Sequence, residues 1–270
     1  MSRFLEDMER GSRRRFEESR ARRPLPAVRQ DALSAPPSRE LGLFGELFDV
    51  IAEIKPRSPA EGELGSDGLI ERMGEYERGG AAMVSVLTEP DAFSGSLDLL
   101  AAAASQATVP VMRKDFLVDP YQVYEARGSG ADGVLLILRL LDDTALDSML
   151  DAVNEAGMFA LLEAFDRDDL SRAVAALGTG PHLLTGVNSR DLESLEVDPA
   201  THASLSELLP PGRPTVAESG IVGPEDVRTV AALGYRAALI GSALMRSEDP
   251  AREVISMIEA GRAAVGAGAR

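Results

Sequence analysis

Short apolar or β-branched runs recur along the chain. They begin near Val50 (VIAEIK), Met83 (MVSVLT), Val109 (VPVMRK), Gly133 (GVLLIL), Met158 (MFALLEAF), Leu183 (LLTGVN), Thr215 (TVAES) and Ala237 (AALIGS). Successive starts lie 33, 26, 24, 25, 25, 32 and 22 residues apart. Helical patterns fill the gaps, as over 144–156 and 224–233, and Gly157 and Gly234 close those two. Strands alternating with helices specify βαβ units and a parallel sheet. Eight such units in this length predict a closed (β/α)8 TIM barrel rather than an open doubly wound sheet. No dinucleotide-binding glycine fingerprint follows the first run. Gly128-Ser129-Gly130 comes after a helix and reads as a turn.

The expected organisation is one domain over residues 1–270, with a barrel core at 50–246. Residues 1–48 exceed what a first strand needs and predict an N-terminal helical extension, one or two helices packed on the barrel. Ala35-Pro36-Pro37-Ser38 reads as a loop, and the Ala/Gly-rich C-terminus is expected to fray.

Composition narrows the function classes. Apolar residues make up 44% of the chain, enough for a large core, yet no run approaches the ~18–20 residues of a membrane span. The N-terminus lacks an apolar signal region. Its arginines (Arg13, Arg14, Arg15, Arg20, Arg22, Arg23) are interleaved with Glu6, Asp7, Glu9, Glu17 and Glu18, which predicts a solvated amphipathic helix rather than a transit peptide. There is no Cys, so disulfide, thiolate and Cys-type zinc chemistry are excluded, and a cytoplasmic location is expected. The net charge of −16 argues against nucleic acid and requires any anionic substrate to be met by a few local cations. No cluster has metal-ligand spacing, so neither metal nor cofactor is expected. Asp142-Asp143 and Asp168-Asp169 read as helix starts. His182 and His202 lie away from strand C-termini and read as surface residues. A monomer, or at most a weak homo-oligomer, is expected.

The cations carry more information. Of 28 basic residues only Lys55 and Lys114 are lysines. Arg keeps its proton at any relevant pH, whereas Lys can be tuned to act as acid or base. In this fold the active site lies at the C-terminal ends of the strands, and both lysines fall there. The first strand ends Glu53-Ile54-Lys55; residues two apart point to one face, so Glu53 and Lys55 share it. Lys114 ends the third strand, Glu163 the fifth and Asn188 the sixth, with Arg190 two residues on. The seventh ends Glu218-Ser219-Gly220, and Gly241-Ser242 follows the eighth. The loops after the last two strands are where this fold commonly holds phosphate, and glycine lets backbone amides approach it closely.

With these residues in view, the chain resembles the indole-3-glycerol-phosphate synthase family. The matching segments are Ile51-Ala52-Glu53-Ile54-Lys55 with Ser58-Pro59, Leu87-Thr88-Glu89-Pro90 with Phe93 and Gly95-Ser96, and Arg113-Lys114-Asp115-Phe116. They continue through Leu135–Ile137, Glu163, Gly186-Val187-Asn188 with Arg190 and Leu192, Ala217-Glu218-Ser219-Gly220-Ile221 and Gly241-Ser242-Ala243-Leu244-Met245. The resemblance implies a lyase of tryptophan biosynthesis. It would close the ring of 1-(2-carboxyphenylamino)-1-deoxyribulose 5-phosphate, releasing carbon dioxide and water. It implies Glu53, Lys55, Lys114, Glu163 and Asn188 as the catalytic set, Lys114 being suited to act as general acid at the ketone. Lys55 would hold the substrate carboxylate, and Glu53 with Asn188 would orient the substrate. Glu163 and Lys55 are the candidates for acid and base in the dehydration, their order left open. Ser58, Arg190 and Glu218 would bind substrate, and Pro59, Phe93, Phe116, Leu135 and Leu192 would clasp its aromatic ring. Ser219, Gly220, Gly241 and Ser242 would hold the phosphate.

The chain departs from the family pattern at Pro56, at Ala60-Glu61-Gly62, at Ala164-Phe165, and at Ser189 and Asp191, and the region before residue 50 matches poorly. Two other functions fit the same residues: a divergent paralogue acting on a substituted anthranilate-derived ketose phosphate, and a non-catalytic barrel sensing a phosphorylated metabolite. The second needs the cations but not the proton-transfer carboxylates.

Overall fold

In the computed structural model, which describes residues 3–42, 44–178, 182–192 and 194–268, eight parallel strands close into a barrel. They are β1 (Asp49–Ile54), β2 (Met83–Leu87), β3 (Val111–Lys114), β4 (Gly133–Ile137), β5 (Phe159–Ala164), β6 (Leu183–Asn188), β7 (Thr215–Glu218) and β8 (Ala237–Ile240). Each strand pairs with its neighbours in sequence, and β1 closes the ring on β8. Nearly every strand residue is buried, because the inner face fills the barrel and the outer face lies under helices. Hence the strands read as continuous apolar runs rather than alternating ones. Two strands begin slightly later than their apolar runs suggest. β3 starts at Val111, because Pro110 has no N–H to give a ladder, and β5 starts at Phe159.

Two helices precede the barrel, α1 (Arg3–Arg22) and α2 (Leu25–Ser34). The outer ring is α3 (Leu69–Arg78), α4 (Leu97–Gln106), α5 (Pro120–Gly128), α6 (Asp143–Glu155), α7 (Arg167–Ala176), α8 (Ala200–Leu205), α9 (Pro224–Ala232), α10 (Ser242–Arg246) and α11 (Pro250–Gly268). The acidic pairs mark helix starts as expected. Asp142 caps α6 through Ala145 N–H, while Asp168 and Asp169 lie in the first turn of α7, capped by Asp166. Among the described residues no helix is long and apolar enough to cross a membrane.

Two expectations are corrected. His182 is exposed, but His202 is buried. Its ring packs edge-on against Tyr235 at 5.3 Å, with Nε2 3.2 Å from the Val187 carbonyl. Burial depresses its pKa, so the ring is a neutral strut beneath β6. The Ala/Gly-rich tail does not fray at its start but continues α11 to Gly268, since alanine is the strongest helix former and offsets the glycines.

The N-terminal helix is tied to the mouth of the barrel by polar contacts that no periodicity encodes. Arg15 lies 3.0 Å from Glu89 Oε1 and 3.2 Å from Asp115 Oδ1. Ser12 Oγ accepts a hydrogen bond from Gln122 Nε2, and Tyr121 donates to the Arg23 carbonyl. Asp115 also accepts from Thr88, Arg113 and Phe116 N–H. Burial alone raises its pKa, but Arg113, Arg15 and these donors outweigh that and hold it below the usual carboxylate range. A fixed anion behind β3 thus anchors the residues on either side of Lys114.

Candidate active site

At the C-terminal mouth of the barrel lies a cavity of about 710 Å³, within the usual range for small-molecule sites. The strand pattern explains who lines it. Along β3, Arg113 points outward into Thr88, the Gln122 carbonyl and Glu125, so Lys114 points in. Its ammonium lies 3.2 Å from Glu163 Oε1 and 3.4 Å from Glu218 Oε2. Asn188 Nδ2 donates to the same Glu163 oxygen at 2.8 Å, while its Oδ1 accepts from Arg190 N–H. On β1, Lys55 Nζ is 3.1 Å from Glu53 Oε1. Register makes these meetings possible: Asn188 is paired with Glu218 and Glu163 with Gly186 across the ladders.

Two glycines make the room. A Cβ at Gly186 would overlap Glu218 Oε1, and one at Gly241 would overlap Glu53 Oε1. Bare backbone at these positions lets two carboxylates lie inward. Glu53 Oε2 and Glu218 Oε1 are buried with no hydrogen-bond partner among the described residues. A buried polar atom in that condition costs stability, and a functional role is one reason for its retention.

The electrostatics follow from this crowding. Burial disfavours the charged Lys114, but Glu163, Glu218 and Glu53 outweigh it and raise its pKa, so the ammonium persists at neutral pH. The Glu218 pKa is raised as well, which for a carboxylate favours the neutral form. Burial and the nearby Glu163 push its pKa well above 4.5, with Lys114 opposing only in part. Folding therefore tightens a proton on Glu218. That contribution to stability is fully present below the unfolded-state pKa and is lost as pH rises through the folded one. Glu218→Gln, neutral at every pH, should gain stability relative to the parent as pH rises from about 4.5. Paired thermal unfolding at several pH values checks this; a Tm difference, variant minus parent, that falls as pH rises would contradict it.

Apolar walls complete the cavity. Glu89 accepts from the amides of Asp91, Ala92 and Phe93 and so fixes the helical turn that presents Phe93. Phe93 and Phe4 each lie with ring centroids 6.1 Å from Phe116. After β7, Ser219 and Gly220 both adopt left-handed backbone, at φ 64° and 73°, a conformation that costs a non-glycine residue energy and is concentrated at functional turns.

Every residue singled out by sequence lines this one cavity: Glu53, Lys55, Ser58, Pro59, Phe93, Lys114, Phe116, Leu135, Glu163, Asn188, Arg190, Leu192, Glu218, Ser219, Gly220, Gly241 and Ser242. Phe4, Glu61, Leu195, Val197 and Arg246 line it as well and were missed. No spacing argument reaches them. Phe4 arrives on the docked α1, and Leu195 and Val197 come back over the site through the Arg190–Val197 bridge. The Glu61 signal was present only as an anionic departure after Ser58-Pro59. Among the described residues no three His, Cys, Asp or Glu side chains are grouped to hold a metal ion.

Known proteins share both the fold and the sequence of this chain. Among solved structures, 3-hexulose-6-phosphate synthase from Salmonella typhimurium superposes with a TM-score of 0.63 over 82% of this chain and 100% of its own, at 17% identity, which speaks to the barrel alone. Sequence relatives speak to the family. The indole-3-glycerol phosphate synthase of Kineococcus radiotolerans is 44% identical over 243 residues, covering 90% of this chain and 86% of that protein. The Arthrobacter sp. enzyme of the same name is 41% identical over 97% of this chain and 98% of its own. The family model for indole-3-glycerol phosphate synthase matches residues 5–257. That span takes in α1 and α2, so the N-terminal region, poorly matched by motif, is part of the likeness. With the family model matching residues 5–257 and relatives at 41–44% identity spanning most of both chains, the chain belongs to the indole-3-glycerol phosphate synthase family.

Proposed function

We propose that this chain carries out the reaction of its family, the decarboxylating and dehydrating ring closure of 1-(2-carboxyphenylamino)-1-deoxyribulose 5-phosphate to indole-3-glycerol phosphate. The observation that carries the reading is the pair of lysines, the only two in the chain, both at strand ends in one cavity and each paired with carboxylate. The ring carbon bearing the carboxylate attacks the ketone, and Lys114 donates a proton to the oxygen as charge develops. Glu163 and Glu218 keep that ammonium protonated and fixed in place, which shortens the search for a reactive geometry. Lys55, steered by Glu53, holds the substrate carboxylate until carbon dioxide leaves. Glu163, oriented by Asn188, then serves proton transfer as the hydroxyl departs. Phe93, Phe116, Leu135, Pro59, Leu192 and Phe4 clasp the aromatic ring; Ser58 and Arg190 hold the polar flank. The phosphate sits on Ser219, Gly220, Gly241 and Ser242.

Every step uses acids, bases and fixed charge, so the reaction needs no metal or organic cofactor. Indole fluorescence from the ketose phosphate, recorded under exhaustive chelation, tests both statements together. Full turnover is expected. A rate restored only by a divalent ion overturns the cofactor-free reading, and no turnover under any condition overturns the function. The absence of Cys suits a reducing cytosol. The large exposed apolar side chains Leu33, Leu47, Val174, Val222 and Ile255 are spread over three helices and two loops, which favours a monomer.

Phosphate holding predicts a KM effect. Ser219→Asp sets a negative charge against the phosphate in ground and transition state alike, so KM should rise while kcat is largely kept. Gly241→Asp should lower kcat as well, because its new Cβ displaces Glu53 and crowds Lys55. Steady-state kinetics separate the two patterns; a matching fall in kcat for Ser219→Asp contradicts the assignment.

A further inference from the structure

The loop after β1 folds back on itself through a two-residue ribbon, Arg57–Ser58 against Gly62–Glu63. Gly62 turns the chain at φ 75°, and the tip presents Glu61 toward α10. Glu61 Oε1 accepts a hydrogen bond from Ser242 Oγ at 2.7 Å, and Glu61 Oε2 lies 2.9 Å from Arg246 Nη2. Both partners belong to α10, which is held from behind by Arg72 through the carbonyls of Leu244 and Ser247. The loop's own carboxylate therefore sits on the hydroxyl assigned to the substrate phosphate. A serine hydroxyl has one proton to donate, and two anions in contact repel. Carboxylate and phosphate thus exclude one another at Ser242.

We infer that Glu61 is a built-in phosphate surrogate, displaced from Ser242 when the substrate phosphate binds. The inference rests on the phosphate assignment above. On displacement Arg246 exchanges the carboxylate for the phosphate. A phosphate carries more charge and three acceptor oxygens, so it outcompetes a single carboxylate for a planar guanidinium and a hydroxyl. The same exchange frees from α10 the loop that carries Ser58 and Pro59, which coordinates the position of the ring-side wall with occupancy of the phosphate site. A ligand without phosphate leaves Glu61 in place. The Arg246 contact is half exposed and weak by itself, so most of the competition comes from the short Ser242 bond.

Inorganic phosphate is the probe, read in the full chain both as a competitive inhibitor of turnover and by calorimetry. Glu61→Gln and Glu61→Ala should each bind phosphate about five- to twentyfold more tightly, roughly the worth of one partly exposed charge-assisted hydrogen bond. Affinity for the dephosphorylated ketose should stay within about twofold, since that ligand does not compete with Glu61. Arg246→Met should bind phosphate more weakly; tighter binding there would show that the arginine serves only Glu61 and would overturn the exchange. Ser219→Asp separates the two ideas. If it weakens phosphate binding while the Glu61 variants bind phosphate no better than the parent, the surrogate role is wrong and the phosphate assignment stands. If Ser219→Asp leaves phosphate binding unaltered, the assignment itself fails and takes the surrogate with it.

Discussion

Replacing Lys114 with Arg will lower kcat by about 10²–10⁴-fold, the usual worth of general acid catalysis, although the positive charge is kept. Arg holds its proton too tightly to give it to a ketone oxygen at neutral pH, and its planar fork is larger than an ammonium. The site has little tolerance for that shape. Lys114 Nζ lies between Glu163 and Glu218 at 3.2 and 3.4 Å, and both carboxylates are themselves buried. Affinity for a non-reactive anionic analogue should survive within about tenfold, because the charge that attracts it remains. Lys55→Arg will behave differently. If Lys55 mainly grips the substrate carboxylate beside Glu53, a guanidinium retains part of that grip and a larger share of kcat. Turnover and analogue binding, measured side by side on both variants, read chemistry and affinity separately. Near-normal turnover in Lys114→Arg would falsify its assignment as general acid and leave the lysines as a charge clamp.

Glu163→Gln is expected to cost about as much in kcat, roughly 10²–10⁴-fold, but at a later step. Glutamine matches the shape of glutamate and can still face Lys114 and Asn188, so binding should be kept. What it lacks is a carboxylate to move a proton while the hydroxyl departs. Under single-turnover conditions the variant should therefore release carbon dioxide ahead of indole fluorescence, whereas the parent forms both together. Equal slowing of carbon dioxide and indole would place Glu163 at ring closure instead, as the group that holds the Lys114 proton. Substrate analogues substituted on the ring, run in the same assay, report how far the clasp of Phe93, Phe116 and Phe4 tolerates change.

Much of the candidate-site layout was legible because the relevant rules are local. Strand positions follow from apolar runs at regular intervals, and the two-residue period of a strand states that Glu53 shares a face with Lys55. It also states that Lys114 opposes its neighbours Arg113 and Asp115. Once the barrel is recognised, strand C-termini must converge, so residues distant in sequence belong to one site before any coordinates are seen. Local rules cannot choose partners across space. That Asn188 and Lys114 share one oxygen of Glu163 depends on the stagger at which the sheet closes. That the Glu218 pKa is raised depends on the depth of burial and on Glu163 arriving beside it. The inward room for Glu53 comes from a glycine almost two hundred positions away, Gly241. The N-terminal helix is amphipathic by pattern, but its docking onto Glu89 and Asp115, and hence the place of Phe4 in the ring pocket, is set by long-range ion pairs. His202 looked like a surface residue for the same reason: its burial comes from Tyr235 and the underside of β6, neither of which is near it in the chain. Periodicity determines which way a side chain points, while closure of the barrel and docking of its loops and helices decide what it meets there.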